Sequence, residues 1–322
     1  MALKQVLEIV ELLDRPDACA GIVAQLFSDH GMPGAEIAMV RTRRGSTSFF
    51  KLLIPGYRGR SAGGSAATLG IVGYLGGVGA RPEKIGLVSD ADGAIAALAA
   101  GLKLSDMQRT GERLPGDVIV ATHVSPSSPI IPHEPVPFMS SPVKMAVMNQ
   151  HVVDPRMEAI LSIDATKGNR IINTRGFAIS PTVKEGYILR VSEDLLAIQH
   201  CVTGRTPSVF AISTQDITPY GNGVFHLNSI LQPATATDAP VVGVAITSEA
   251  VIPGSATGAN QEIDIELAAR FVVEVAKSFG LGRTQFYDRA EFARLVRLYG
   301  PMRHLQSLGS GGGRRRGKGG RK

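Results

Sequence analysis

Apolar residues of the opening segment, MALKQVLEIVELLDRPD, fall at Leu3, Val6, Leu7 and Val10 with acids between them. This helical spacing predicts an amphipathic helix rather than a secretory leader. A second helical pattern covers residues 17–30 and stops at Gly31. Two extended runs follow, 35–42 and 46–54, the second closed by Pro55-Gly56. From there, short runs rich in β-branched residues (68–73, 83–90, 117–123, 159–164, 207–213 and 239–247) interleave with helical patterns at 93–104, 192–204, 221–231 and 263–280. A final helix at 288–300 opens with Asp288 and Glu291 in capping-box spacing. Strands alternating with helices predict an α/β fold: a three-layer sandwich with a mostly parallel mixed sheet covered on both faces. Residues 1–307 read as one domain, with no internal repeat and no linker.

Composition changes this picture only at the end of the chain. The 44% hydrophobic residues can fill a sizeable core, and 37 Gly and 19 Pro punctuate short elements. The last fifteen residues, LGSGGGRRRGKGGRK, carry six cations and no acid, equal to the formal net charge of +6, so residues 1–307 sum to zero. A Gly-rich cationic segment cannot bury apolar surface, and residues 308–322 are expected to be a disordered tail. The tail is either a solvated terminus or a weak, salt-sensitive contact with a polyanion. No aromatics interleave its arginines to stack on bases. Cys19 and Cys201 are far apart in sequence, and no apolar run reaches membrane-spanning length. A cytoplasmic, reduced protein is expected. The loop GYRGRSAGGSAA (56–67) has neither GxGxxG nor Walker spacing and reads as a flexible loop, and no G-x-S-x-G elbow marks a serine hydrolase.

In such sheets ligands bind at the carboxyl ends of strands. Three predicted strands end in ligand-capable residues: Asp90, His123 and Asp164. Two carboxylates and an imidazole are a compatible donor set for one divalent metal ion, Zn or Mn, with positions open for water. Asp92 follows Asp90 at the start of a helix, where one of the two suffices as a cap. His133, in a Pro-rich loop, is either a surface histidine or a group reaching over the same face. Asp216, Tyr220 and Asn222, between a strand and a predicted helix, read either as substrate-positioning groups or as turn chemistry. Lys167 and Arg170 directly follow Asp164 and either bind an anionic substrate group or lie in a solvated loop. His226, Met145 and Met148 read as packing residues.

The order of elements resembles the zinc aminopeptidase and deacylase superfamily. LLIPG matches its strand-to-loop entry, Asp90-Ala91-Asp92-Gly93-Ala94 its bridging aspartate at a Gly/Ala-rich helix, and Ile163-Asp164-Ala165-Thr166 a later aspartate strand. The resemblance implies ligands at Asp90, His123 and Asp164, but Tyr74, Gly76 and Thr257 stand in the superfamily's histidine, aspartate and histidine slots, and Thr122 in that of its glutamate base. One metal rather than two is implied, with Asp92 or His133 left to activate water. The segments SAGGSAATLGIVG, GARPEKIGLVSDADGA, ATKGNRIINTRGFAISPTVKEGYILRVSEDLL and TQDITPYGNGVFHLNSILQPATAT are similar to a bacterial domain-of-unknown-function family (DUF1177-like), whose members often accompany oligopeptide transporters. The functional expectation is a metal-dependent, hydrolase-like protein acting on a small peptide or amide, with a homo-oligomer expected by superfamily analogy. The alternative is a non-catalytic protein binding a peptide-like ligand on a degenerate aminopeptidase fold, and a third is a nucleic-acid contact through the tail.

Overall fold

Two-residue alternation along the strands sorts their side chains onto two faces of one sheet. The computed structural model describes residues 1–74, 76–81, 86–132, 138–166, 171–251, 258 and 260–309. In chain order its strands are β1 (Glu36–Thr42), β2 (Gly45–Ile54), β3 (Leu69–Gly73), β4 (Val118–Val124), β5 (Ile130–Ile131), β6 (Phe138–Met139), β7 (Ala159–Ala165), β8 (Gly176–Ile179), β9 (Val183–Lys184), β10 (Tyr187–Ile188) and β11 (Val241–Thr247). The helices are α1 (Leu3–Leu13), α2 (Ala20–Asp29), α3 (Asp92–Arg109), α4 (Met145–Val152), α5 (Glu193–Thr203), α6 (Glu262–Gly280) and α7 (Arg289–Tyr299). The main sheet runs β1-β2-β4-β3-β7-β11-β9-β10, with β8 also paired to β11, while β5 and β6 form a separate hairpin. Its centre, β4-β3-β7-β11, is parallel; the β1-β2 hairpin and β8–β10 flank it antiparallel. No helix among the described residues is long and apolar enough to cross a membrane.

Val118 and Val120 of β4, Leu161 and Ile163 of β7, and Val242 and Val244 of β11 enter one core with α1, α2, α3 and α6. Their neighbours Ile119, Ala121, Ile160, Val241 and Ala245 enter a second core with Phe49, Tyr74, Met148 and Phe210. The first face is helical as expected. The second is covered by α4 and the irregular stretch around residues 210–236 rather than by a layer of long helices.

Small residues bring α3 down onto the strands. Ala94, Ala96, Ala97, Ala99 and Ala100 are fully buried. A Cβ on Gly93 would lie 2.5 Å from the Ile163 carbonyl oxygen and 3.0 Å from Asp164 Cα, and one on Gly73 would lie 2.8 Å from Ala94 Cα. The first turn of α3 therefore sits against the carboxyl ends of β3 and β7.

Three expected elements do not form as such among the described residues; residues 83–85 of the first lie outside them. Residues 86–88 run without strand pairing into a 3-10 turn, Ser89–Ala91. The 207–213 segment makes a single bridge, Ile179 to Val209. The 221–231 segment is a chain of turns, not a helix. Gly221 (φ +96°) and Gly223 (φ +84°) take left-handed conformations that break helical continuity, and side chains rather than a helical ladder take up its backbone groups. The loop 56–67 is tied down by Asp117, which accepts from Gly56 N at 2.8 Å, Ser61 N at 2.8 Å and Ser61 Oγ at 2.8 Å. The cap on α7 is as expected: Asp288 Oδ1 accepts from Glu291 N at 2.9 Å.

Candidate functional site

The carboxyl ends of β3 and β7, the turn before α3 and the 213–232 loop meet at one place. Pairing sets Gly73 opposite Ile163, and Tyr74 N continues the ladder to the Ile163 carbonyl at 2.7 Å. Tyr74 thus directly follows β3 and Asp164 stands near the carboxyl end of β7, opposite Ala245, while close packing at Gly93 holds Asp90 and Asp92 beside them. Asp90, Asp92 and Asp164 are all buried (6%, 0% and 4% exposed), and their charges repel one another.

Each acid is held differently. Asp164 Oδ1 accepts from Ala165 N at 2.7 Å and Oδ2 from Ser229 Oγ at 2.8 Å. Burial nevertheless outweighs these bonds and, with the neighbouring Asp92 charge, pushes its carboxyl up to about 7. Asp90 is raised well above the usual carboxylate range by burial, then by Asp164 and Asp92. Asp92 accepts from Asn260 Nδ2, which also donates to the Val88 carbonyl at 3.1 Å. The Tyr74 hydroxyl donates to Asn149 Oδ1 at 3.0 Å and contacts Met145 Sδ. Burial, then the Asp164 charge, raises both Tyr74 and Tyr220, so both phenols stay protonated.

His123 does not join these acids. Its Nε2 accepts from Gly76 N at 2.9 Å, so its proton sits on Nδ1, which meets Thr47 Oγ1 at 2.8 Å. Both ring nitrogens are engaged by the protein, and burial lowers the imidazole to about 4. Nε2 could ligate a metal only by giving up the Gly76 N–H. Among the described residues, no group of three or more His, Cys, Asp and Glu side chains is arranged to hold a metal ion. The expected set of Asp90, His123 and Asp164 is therefore not assembled among the described residues.

Of the two readings of Asp216, substrate positioning and turn chemistry, its contacts match the second. Fully buried, its Oδ2 accepts from Ser213 N at 2.8 Å and Ser213 Oγ at 3.0 Å. Its Oδ1 accepts from Leu227 N at 2.7 Å and Asn228 N at 3.0 Å. Four donors fill the carboxylate and leave nothing for a ligand. Asn222 donates to Thr218 Oγ1 at 2.7 Å and accepts from Val224 N at 3.0 Å, which is local turn chemistry. Gln232 completes the tie, accepting from Tyr220 N and donating to the carbonyls of Asp216 and Thr218. His226 stands edge-on to the Tyr220 ring, 4.5 Å between centroids. His133, Lys167 and Arg170 lie outside the described residues, as do Thr257 and tail residues 310–322.

A cavity of about 430 Å³ opens beside Asp164, walled by Ile171, Ile172, Phe210, Leu227 and Ile230, with Ser229 beside the acid. A larger cavity, about 840 Å³, lies at the opposite, amino end of β7 and β11, among Met157, Pro240, Phe286 and Tyr287, away from the acids. Ser229 and Asn260 were not read from the sequence as site residues. Ser229 lies in the segment read as a helix, and neither residue carries a motif.

The sequence model of a family described as "Protein of unknown function (DUF1177)" matches residues 38–309. The chain belongs to this family. The match spans β1 through α7 and so includes every acid of the DUF1177 cleft and the loop that covers it. A search of curated proteins found no match.

Proposed function

We propose that this DUF1177 protein binds a small peptide-like or amide ligand in the cleft beside Asp164. One observation carries the reading: Asp164 is a buried carboxyl, near half-protonation at neutral pH, at a cavity of about 430 Å³ whose walls combine Ile171, Ile172, Phe210, Leu227 and Ile230 with the polar Thr166, Asn228 and Ser229. A few polar groups in an apolar concavity are the general form of a small-molecule site. A carboxyl that exchanges its proton offers both an O–H donor and an acceptor, the two partners an amide needs. The resemblance of the sequence's element order to the zinc aminopeptidase superfamily is the ground for a peptide-like ligand. Calorimetry of the full chain with dipeptides, amino-acid amides and N-acyl amino acids tests the proposal. Binding should weaken at least tenfold in Asp164→Asn; equal binding by that variant, or no binding across the panel, overturns it.

Hydrolysis of the same ligand is the second reading. A carboxyl with proton affinity near neutrality suits a general acid or base, which favours chemistry based on carboxyl groups over chemistry based on a metal. Addition of Zn²⁺ or Mn²⁺ to protein purified without an affinity tag should leave its Tm unchanged. A clear rise would restore a metal-dependent hydrolase.

A further inference from the structure

Ser229 and Asp164 form a contact that the binding proposal does not use. Ser229 Oγ donates to Asp164 Oδ2 at 2.8 Å, and both residues line the same cavity. The other carboxylate oxygen is fixed by Ala165 N at 2.7 Å. The serine backbone is pinned from both sides: Asp216 holds the two preceding N–H groups, and the Ser229 carbonyl accepts from Gln232 N at 2.9 Å. A hydroxyl hydrogen-bonded to an oriented base, facing a ligand-sized space, is the geometric signature of an activated nucleophile.

We propose that Ser229 is a nucleophile and Asp164 its general base, together acting on the acyl group of an ester or amide held in the cleft. The proposal rests on the reading of that cleft as a binding site. Ser229 Oγ adds to the acyl carbon while its proton passes to Asp164 Oδ2. The C–O or C–N bond then breaks, and the departing alcohol or amine takes that proton. Water adds to the acyl-serine, giving a proton to Asp164; the acyl–Oγ bond breaks and Ser229 recovers its proton, releasing a carboxylic acid. The dyad needs no elbow motif because side-chain ties, rather than a strand-to-helix turn, present the serine.

The test is reaction of the full chain with a fluorophosphonate, followed by intact mass and peptide mapping. One phosphonyl adduct on Ser229 is expected, absent in Ser229→Ala and formed at least tenfold more slowly in Asp164→Asn. In the unmodified chain the labelling rate should fall as pH is lowered through the Asp164 titration, a readout independent of how well the variants fold. An unlabelled Ser229, or a rate indifferent both to Asp164→Asn and to pH, overturns the proposal. If amide ligands still bind while Ser229 takes no adduct, the dyad fails and the binding site stands; if neither occurs, both fail.

Discussion

The backbone N–H of Gly76 donates to Nε2 of His123 at 2.9 Å, which fixes that imidazole as a neutral, Nδ1-protonated ring inside the sheet. Protonation would set a second N–H against the Gly76 donor. Burial lowers His123 from 6.5 to about 4. Between those values the unfolded chain binds a proton that the native chain does not, so stability falls as pH drops from 6.5 to 4. The loss is on the order of 3 kcal/mol. Urea titrations across that range should show the slope in the unmodified protein. In His123→Gln the histidine contribution should vanish, with lower stability at pH 7 because Thr47 and Gly76 lose their partner.

The site acids act with the opposite sign. The folded-state value of Asp164, about 7, stands above its ordinary 3.8. Holding this group in place is least costly below pH 4 and most costly above 7, so its contribution worsens as pH rises through that window. Asp164→Asn should gain about 1–3 kcal/mol at pH 7.5, seen as a higher urea midpoint, while losing affinity for the cleft ligand. A variant less stable than the parent at pH 7.5 would contradict the burial argument.

Four donors converge on Asp216. Asp216→Asn turns one acceptor end into a donor and sets it against N–H groups. The expected cost is about 2–4 kcal/mol. Hydrogen exchange should rise across residues 213–229 before it rises in α3 or α6. Uniform loss of protection across the chain would mean that the loop does not open separately.

Gly93 tests the placement of α3. Its substitution by Ala forces a Cβ toward the Ile163 carbonyl, backbone that cannot rotate away. The expected cost is about 2–4 kcal/mol. Gly63→Ala, where the added atom meets nothing within 4 Å, should lose only the smaller amount due to its positive φ. Thermal melts of the two side by side give the comparison.

What could be read from the chain follows from which interactions are local. The periodicity of Leu3–Leu13, the alternation in 46–54 and the buried runs at 159–164 and 239–247 all appear as the expected helix or strands. Their patterns report burial on one face or two, which the immediate sequence encodes. The 221–231 segment has apolar spacing that also suits a helix, but its backbone N–H groups at Leu227 and Asn228 are claimed by Asp216, which lies before its start, and that at Val224 by Asn222. The acids Asp90 and Asp164 were legible because a carboxylate ending a buried run is chemically conspicuous. The rejection of His123 was not: it depends on Thr47 and Gly76, brought in by neighbouring strands, and no spacing within VIVATHV reveals them.

The cover over the Asp164 cleft owes its order to two side chains at its ends rather than to a repeating ladder. Residues strung between those anchor points, such as Val224 and Phe225, face outward and carry little of the fold. Exchanging those two outward-facing side chains should thus leave the sheet beneath undisturbed.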